Sequence, residues 1–465
     1  MVDTMPQNPS PLSNFISPQK AELRIDAKQL MAPAANSAAF QWLDYHSLII
    51  DQGLVIDVIP TAQAHKQYQT KQHYKLSQQL LMPGLSNHYC SLGASLFQHL
   101  GLELPTQLRW QNYLMPAEQK FVSEELIEVA TEYSIAQSLF AATTNFSTHY
   151  FFPQVTAKIA KKHKLNCKIG ICINPSFSLP NLSSEQQLAS GLQLIDDYKH
   201  QQHIEFGFSI PNLNTVSNDF LNKLASVSNE LALSIDVSFN RLTTTSTDHS
   251  KQRPIQRLAN FGLLSPDLNI HNPVRLQRQE LKTMAESGST LIVSPSAACL
   301  AADGYPPLSE FVTLGGSFVI GSDNLASHNL NMLKELNSLA LTSKLIANSA
   351  TATNADQVLA AALKPTLQAP IVSSQTLGFS KGSEATICAV NLDTAMNLDG
   401  KAQTEQTIAH DPSQQIVYTG GQHNISHLWH KGETKIVDAR LCSSEIQEQQ
   451  KSVNQWLNTI NQRKY

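Results

Sequence analysis

The sequence predicts an α/β protein: a TIM-like (β/α)8 barrel carrying a small β-sandwich built from segments near both termini. Three observations predict it. Between about residues 83 and 370, eight strand-like runs alternate with helix-period or loop segments, the pattern of βα units in series. Residues 21–82 instead give short strand-like runs broken by Gly, Asp and Pro. Runs of that kind return at 371–441, ahead of a helical tail at 442–465.

Residues 1–20, beginning MVDTMPQNPSPLSN, form an expected disordered lead-in without the basic-then-apolar order of a signal peptide. AELRIDAKQLMA and HSLIIDQGLVIDVIP follow, the second a hairpin turning at Asp51-Gln52-Gly53. Alone these strands bury too little to be stable. EATICAVNL, QQIVYTGG and ISHLWHKGETKIVDARL are expected to complete them, which brings the two ends of the chain together. The barrel is expected to open with LLMPGL, whose apolar run stops at Pro83-Gly84 before a site-forming loop. SEELIEVATEYSIAQSLFAA is a helix with Ser123 as its N-cap and acidic residues in its first turn. TTNFSTHYFF, CKIGICI, IEFGFSI, LSIDVSF, LNIHN, TLIVSP and SFVIGSD supply the remaining strands.

Composition narrows the function. Hydrophobic residues make up 42%, enough for a globular interior, whereas charged residues make up only 15%, against a usual value of about 25%. A net charge of -4, from 33 basic and 37 acidic residues, gives no electrostatic case for nucleic acid or an anionic membrane as partner. Cys90, Cys167, Cys172, Cys299, Cys388 and Cys442 show no paired spacing, so free thiols in a reducing cytoplasm are expected. No run approaches the ~18 apolar residues of a membrane span.

Active sites of such barrels lie at the carboxyl ends of the strands. The residues there are Asn87, His88, Tyr89, Cys90 and Ser91 after the first strand, and Asp236, Ser238, Asn240 and Arg241 around the fifth. His271 follows the sixth and Asp323 the eighth. A His and an Asp at strand ends suit a metal site or a proton shuttle. The plainer alternative is a pair of hydrogen-bonded structural residues.

LLMPGLSN, LMPAEQKFVSEEL, HYFFPQV, TVSNDFL, RPIQRLANFGLLSP, IGSDNLASHNLNML and DPSQQIVYTGGQHNISHLWHKG, in that order, resemble the TRZ/ATZ branch of the amidohydrolase superfamily. That branch includes S-adenosylhomocysteine and 5-methylthioadenosine deaminases and triazine hydrolases. The resemblance implies one divalent metal, zinc or iron, held by a His-x-His pair after strand one, a His after strand five and an Asp after strand eight. It also implies a Glu three residues after the strand-five His, and a His after strand six, to move protons while metal-bound water attacks.

Carried over position by position, the His-x-His pair falls on Tyr89 and Ser91, the third His on Ser238 and the Glu on Arg241. His271 and Asp323 match, and a substrate-contacting His falls on Pro211. Hydroxyls and a phenol are poor ligands for a transition metal at neutral pH, and Arg241 would add a cation beside it. No metal or other cofactor is therefore expected, with Arg241 paired to Asp323 in the vacated position. The alternative is one divalent metal on His88, Cys90, His271 and Asp323, which needs a bulge because His88-x-Cys90 lies one residue out of register. His149 is a further substitute ligand, and His423, His427 and His430 are expected at polar surface positions. The expected function is that of a non-catalytic relative, binding a small heterocyclic ligand or serving as a homo-oligomer or as partner subunit to an active relative. The alternative is a hydrolase of non-peptide C–N bonds, a deaminase of an amino-purine or related heterocycle, with an altered metal centre.

Overall fold

Pro83-Gly84 is where the chain passes from one sheet to another. The computed structural model describes residues 18–34, 40–239, 252–323, 330–367, 377–392 and 411–462. Strands β1 (Gln19–Pro33), β2 (Phe40–Asp44), β3 (His46–Asp51), β4 (Leu54–Pro60) and β5 (Tyr68–Pro83) come first. The barrel strands follow: β6 (Leu85–Cys90), β7 (Thr143–His149), β8 (Asn166–Cys172), β9 (Ile204–Ile210), β10 (Ser234–Ser238), β11 (Leu268–His271), β12 (Thr290–Val293) and β13 (Ser317–Ile320). The chain then returns to the first sheet through β14 (Ile387–Val390), β15 (Ile425–His430), β16 (Glu433–Val437) and β17 (Arg440–Leu441), and a helix at Ser444–Asn461 ends the described chain.

The terminal strands form one nine-stranded mixed sheet, ordered β17-β16-β15-β14-β5-β1-β3-β4 with β2 against β1. The β3–β4 hairpin turns at Gln52 and Gly53, both with positive φ (49° and 75°), as a tight turn between twisted strands requires. Ile25, Leu48, Leu81 and Trp429 are fully buried beneath this sheet. A larger apolar cluster fills the space between the barrel strands and their helices.

β6 to β13 form an eight-stranded sheet whose pairs are all parallel. It closes where Ser322 N and Asp323 N donate to Tyr89 O, at 3.0 and 2.9 Å. Gly321 permits that approach, because a Cβ there would stand 2.6 Å from Tyr89 Cβ.

Three expectations are corrected. The run through Met82 belongs to β5 of the mixed sheet, and the first barrel strand is Leu85–Cys90, so His88, Tyr89 and Cys90 lie within a strand and not in a loop after it. Pro83 has no N–H to continue the ladder, and Gly84 passes so close to Thr144 that a Cβ would stand 2.3 Å from its Oγ1. QQIVYTGG is not a strand but the body of a helix, Pro412–Thr419. Asp411 caps it by accepting from Ser413 N, and Pro412 opens it, which overrides the β-branched residues. His427 and His430 are buried rather than at the surface. His430 lies between Thr386 Oγ1 (3.2 Å) and the Lys164 carbonyl (2.9 Å).

A layered candidate site at the barrel's carboxyl end

Strand alternation aims every second side chain of a barrel strand inward, and two polar layers result. In the deeper one, Asp236 of β10 accepts from Lys168 Nζ of β8 at 2.9 Å, from Asn269 Nδ2 of β11 at 2.6 Å and from Ser147 Oγ of β7 at 3.4 Å. Lys168 Nζ also reaches Ser234 Oγ at 3.4 Å. Both charged side chains are almost wholly buried, at 7% and 2% exposure. The barrel thus carries its own buried cation, paired with its own anion.

The outer layer is built on Tyr89. Its ring stacks on His271, with centroids 3.7 Å apart and planes 9° from parallel, and lies 3.9 Å from the His149 ring. The phenol is hydrogen-bonded to Ser238. Burial, then the carboxylates of Asp323 and Asp236, push it well above its ordinary value, so it is a neutral phenol. His271 ends β11 with Nε2 2.9 Å from Ser294 Oγ and 4.0 Å from Asp323 Oδ2. Asp323 adopts a left-handed conformation (φ 47°), which Asp tolerates better than most residues. Burial lowers His149 to about 4, so its ring is neutral, and its Nδ1 is buried with no hydrogen-bond partner.

The other sequence candidates disperse. His88 directs Nε2 at the Lys364 carbonyl (3.1 Å), and burial followed by the nearby Lys168 ammonium pushes it down to about 3. Cys90 donates to the Ser147 carbonyl at 3.4 Å, and burial raises its thiol well above the ordinary range. The bulge that an altered ligand set requires is present between Asn87 and Cys90, yet it leaves these two side chains on different partners. Ser91 begins the short 3-10 turn Leu92–Phe97, and Pro211 follows β9 ahead of another such turn. Arg241, its expected pairing with Asp323, and Asn240 lie outside the described residues.

Among the described residues, no group of three or more His, Cys, Asp or Glu side chains could hold a metal ion. The donors at the positions where the resemblance places a metal do not fit one. Tyr89 is a neutral phenol packed against two imidazoles, Ser91 and Ser238 offer neutral hydroxyls, and of the four positions only Asp323 carries a carboxylate.

Two residues escaped the sequence reading. Lys168 could have been found, because a lysine inside the apolar run CKIGICI must be buried with a partner. Glu118 gave no such signal. It sits in the helix Met115–Phe121, accepts from Tyr150 Oη at 2.6 Å, and leaves Oε2 buried without a partner. Burial pushes it up to about 8, so it is protonated at neutral pH.

These features are those of an α/β-barrel amidohydrolase scaffold. The Amidohydrolase family profile matches residues 80–435, and the chain belongs to that family. More particularly, it is similar to the 5-methylthioadenosine/S-adenosylhomocysteine deaminases of Teredinibacter turnerae and Saccharophagus degradans. The first is 26% identical over 414 residues, covering 88% of this chain and 92% of the relative. The second is 24% identical over 432 residues, covering 92% and 94%. Among solved structures, a zinc-bound adenosine deaminase from Xanthomonas campestris superposes with a TM-score of 0.86 at 24% identity, over 96% of this chain and all of that one. A zinc-bound atrazine chlorohydrolase from Arthrobacter aurescens TC1 gives 0.78 at 14%, over 94% of this chain and all of that one.

Proposed function

We propose that this chain keeps the ligand-binding barrel mouth of an aminohydrolase and has lost the metal-dependent step, binding a small heterocycle of the purine-nucleoside class without hydrolysing it. The observation that carries the reading is the Tyr89 ring, packed against His149 and His271 at a position where the resemblance implies a metal-binding histidine. Deamination needs an activated water and a proton donor for the leaving amine. The Lys168–Asp236 pair supplies neither, because each charge is used to satisfy the other. Recognition needs less. The protonated Glu118 carboxyl and His149 Nδ1 offer a buried donor and acceptor set of the kind that orients a heterocycle or its hydroxyls.

Self-association, or pairing with an active relative, belongs to the same proposal, as does a cytoplasmic location. All six cysteines are free, and among the described residues no helix is long and apolar enough to cross a membrane. The test is calorimetric titration with adenosine, 5-methylthioadenosine and S-adenosylhomocysteine, alongside an assay for ammonia release. Saturable binding of one of them without ammonia is the expected result.

A second reading, a hydrolase of non-peptide C–N bonds with an altered centre, is favoured by the deaminases to which the chain is similar over most of its length. It is also favoured by the approach of His271 to Asp323 at 4.0 Å. Ammonia release with turnover that is lost in His271→Ala would establish that reading and overturn the first.

A further inference from the structure

A cavity of about 420 Å3 opens between the helices Pro153–His163 and Ser184–Tyr198 beneath the loop 174–183. Tyr89, His149, His271 and Asp323 do not line it. Tyr150 follows β7, Cys172 ends β8, and the Tyr150 hydroxyl donates to Glu118, so it opens beside the barrel mouth. Its occupancy by a different ligand is tested separately from the function proposed above. Its volume lies within the range of small-molecule sites.

Its walls are aromatic in an ordered way. Tyr150 meets Phe151 at 4.7 Å between ring centroids, Phe151 meets Phe177 edge-on at 5.5 Å, and Trp110 stands edge-on behind Phe177 at 5.5 Å. The next residue along, Phe152, is held at φ 53°. That conformation is unfavourable for a bulky side chain and persists only where the surroundings impose it.

The charges of the cavity have one sign. Burial pushes the Cys172 thiol up to about 12 and the Tyr150 phenol well above its ordinary value, so both are neutral. Glu124 and Asp197 remain, and no lysine or arginine lines the wall. Glu124 accepts from Gln154 Nε2 at 3.0 Å and Asp197 from Gln193 Nε2 at 2.9 Å, each through one oxygen. One feature opposes them. The helix Pro153–His163 begins at the cavity with no side-chain cap on its first turn, which favours an anion. Two carboxylates against a half-charge of helix dipole leave the field in favour of a cation, and rings present their negative faces to the same sign of charge.

We propose that this cavity binds a small aromatic amine, its ring against Tyr150, Phe151 and Phe177 and its ammonium toward Glu124 and Asp197. Phenethylamine, 2-phenylethanol and 3-phenylpropionate carry the same ring on similar short chains with three charges. Their binding is read by Trp110 fluorescence, excited where a phenyl ring does not absorb, with Trp110→Phe as the control that removes the signal.

The expected order of affinity is amine, then alcohol, then carboxylate. Glu124→Gln with Asp197→Asn should weaken the amine about three- to ten-fold, the scale of two partly screened ion pairs, and leave the alcohol unchanged. Phe177→Ala should weaken all three probes, with circular dichroism to check folding. The double variant alters only exposed side chains and keeps the test open should Phe177→Ala fail to fold. Absence of saturable, Trp110-dependent binding overturns the proposal. So does tightest binding of the carboxylate, which would mean that the helix N-terminus dominates, or an amine affinity indifferent to the double variant.

Discussion

The two polar layers inside the barrel answer the same problem differently. In the deeper layer, Lys168 and Asp236 neutralise each other, and Ser147, Ser234 and Asn269 complete their hydrogen bonds. In the outer layer, Tyr89 is stacked on His271 and meets the tilted His149 ring, His149 keeps an open nitrogen, and Asp323 is 26% exposed. A buried charged pair is closed to partners because breaking it is costly, whereas a neutral aromatic layer with open polar atoms can receive one. The deeper layer therefore satisfies itself, and the outer layer is the one with polar atoms left to offer.

The comparison breaks first if the deeper layer proves dispensable. Lys168→Met leaves the Asp236 carboxylate buried without its cation and is expected to cost about 3–5 kcal/mol, measured by urea unfolding. Combining it with Asp236→Leu should restore most of that loss, since a buried pair is replaceable by apolar side chains of similar volume. A loss under about 1 kcal/mol in the single variant would mean that the pair is not what satisfies this interior.

Tyr89→Ala sharpens the outer half. It empties the space between His149 and His271, for an expected cost of about 3 kcal/mol. Tyr89→Phe keeps the ring, loses only the bond to Ser238, and should cost about 1 kcal/mol. Equal losses in the two variants would show that the hydroxyl, and not the stacking, holds the layer.

Titration tests the same contrast more finely. Glu118 and Glu335, buried beside the outer layer, stand near 8 instead of 4.5. The folded state therefore binds more protons than the unfolded one between those values, and stability falls as pH rises through that window. Each group contributes up to about 1.4 kcal/mol per pH unit. His88, His149 and His430 are lowered from 6.5 to about 3, 4 and 3. For them the unfolded state binds more protons, so stability is lost as pH falls below about 6.5. Three histidines outweigh two carboxyls on the acid side, and only the carboxyls act from about 6.5 to 8. Unfolding free energy should peak near pH 6.5. Glu118→Gln should remove roughly half of the decline above the peak, and denaturation series at half-unit pH steps would resolve it.

Much of the fold was legible because strand and helix periods survive in a single sequence. CKIGICI, IEFGFSI and LNIHN are strands at the expected positions, and the Asp51-Gln52-Gly53 turn is where its residues place it. The error at Pro83-Gly84 came from the run LLMP itself, which is equally apolar in either sheet; only the packing of Gly84 against Thr144 decides where the barrel begins. The helix Pro412–Thr419 was hidden by β-branched residues, although Asp411-Pro412 is a readable start signal.

The candidate site was legible in part. His271 and Asp323 do come together at the strand ends. That Tyr89 would stack between His149 and His271 required knowledge of rotamers and inter-strand stagger, which residue order does not encode. His427 and His430 were misplaced because imidazoles are common at surfaces, and nothing local marks the barrel residues that meet them.

The central claim is that the chain's own side chains occupy the position where relatives would hold a metal. Its most direct test is elemental analysis by mass spectrometry of the purified protein, produced with zinc, iron and manganese supplied and without a metal-binding tag. The account predicts metal well below one atom per chain, unchanged on further addition of zinc. Near-stoichiometric metal that survives dialysis would contradict it and return the barrel mouth to metal-dependent hydrolysis.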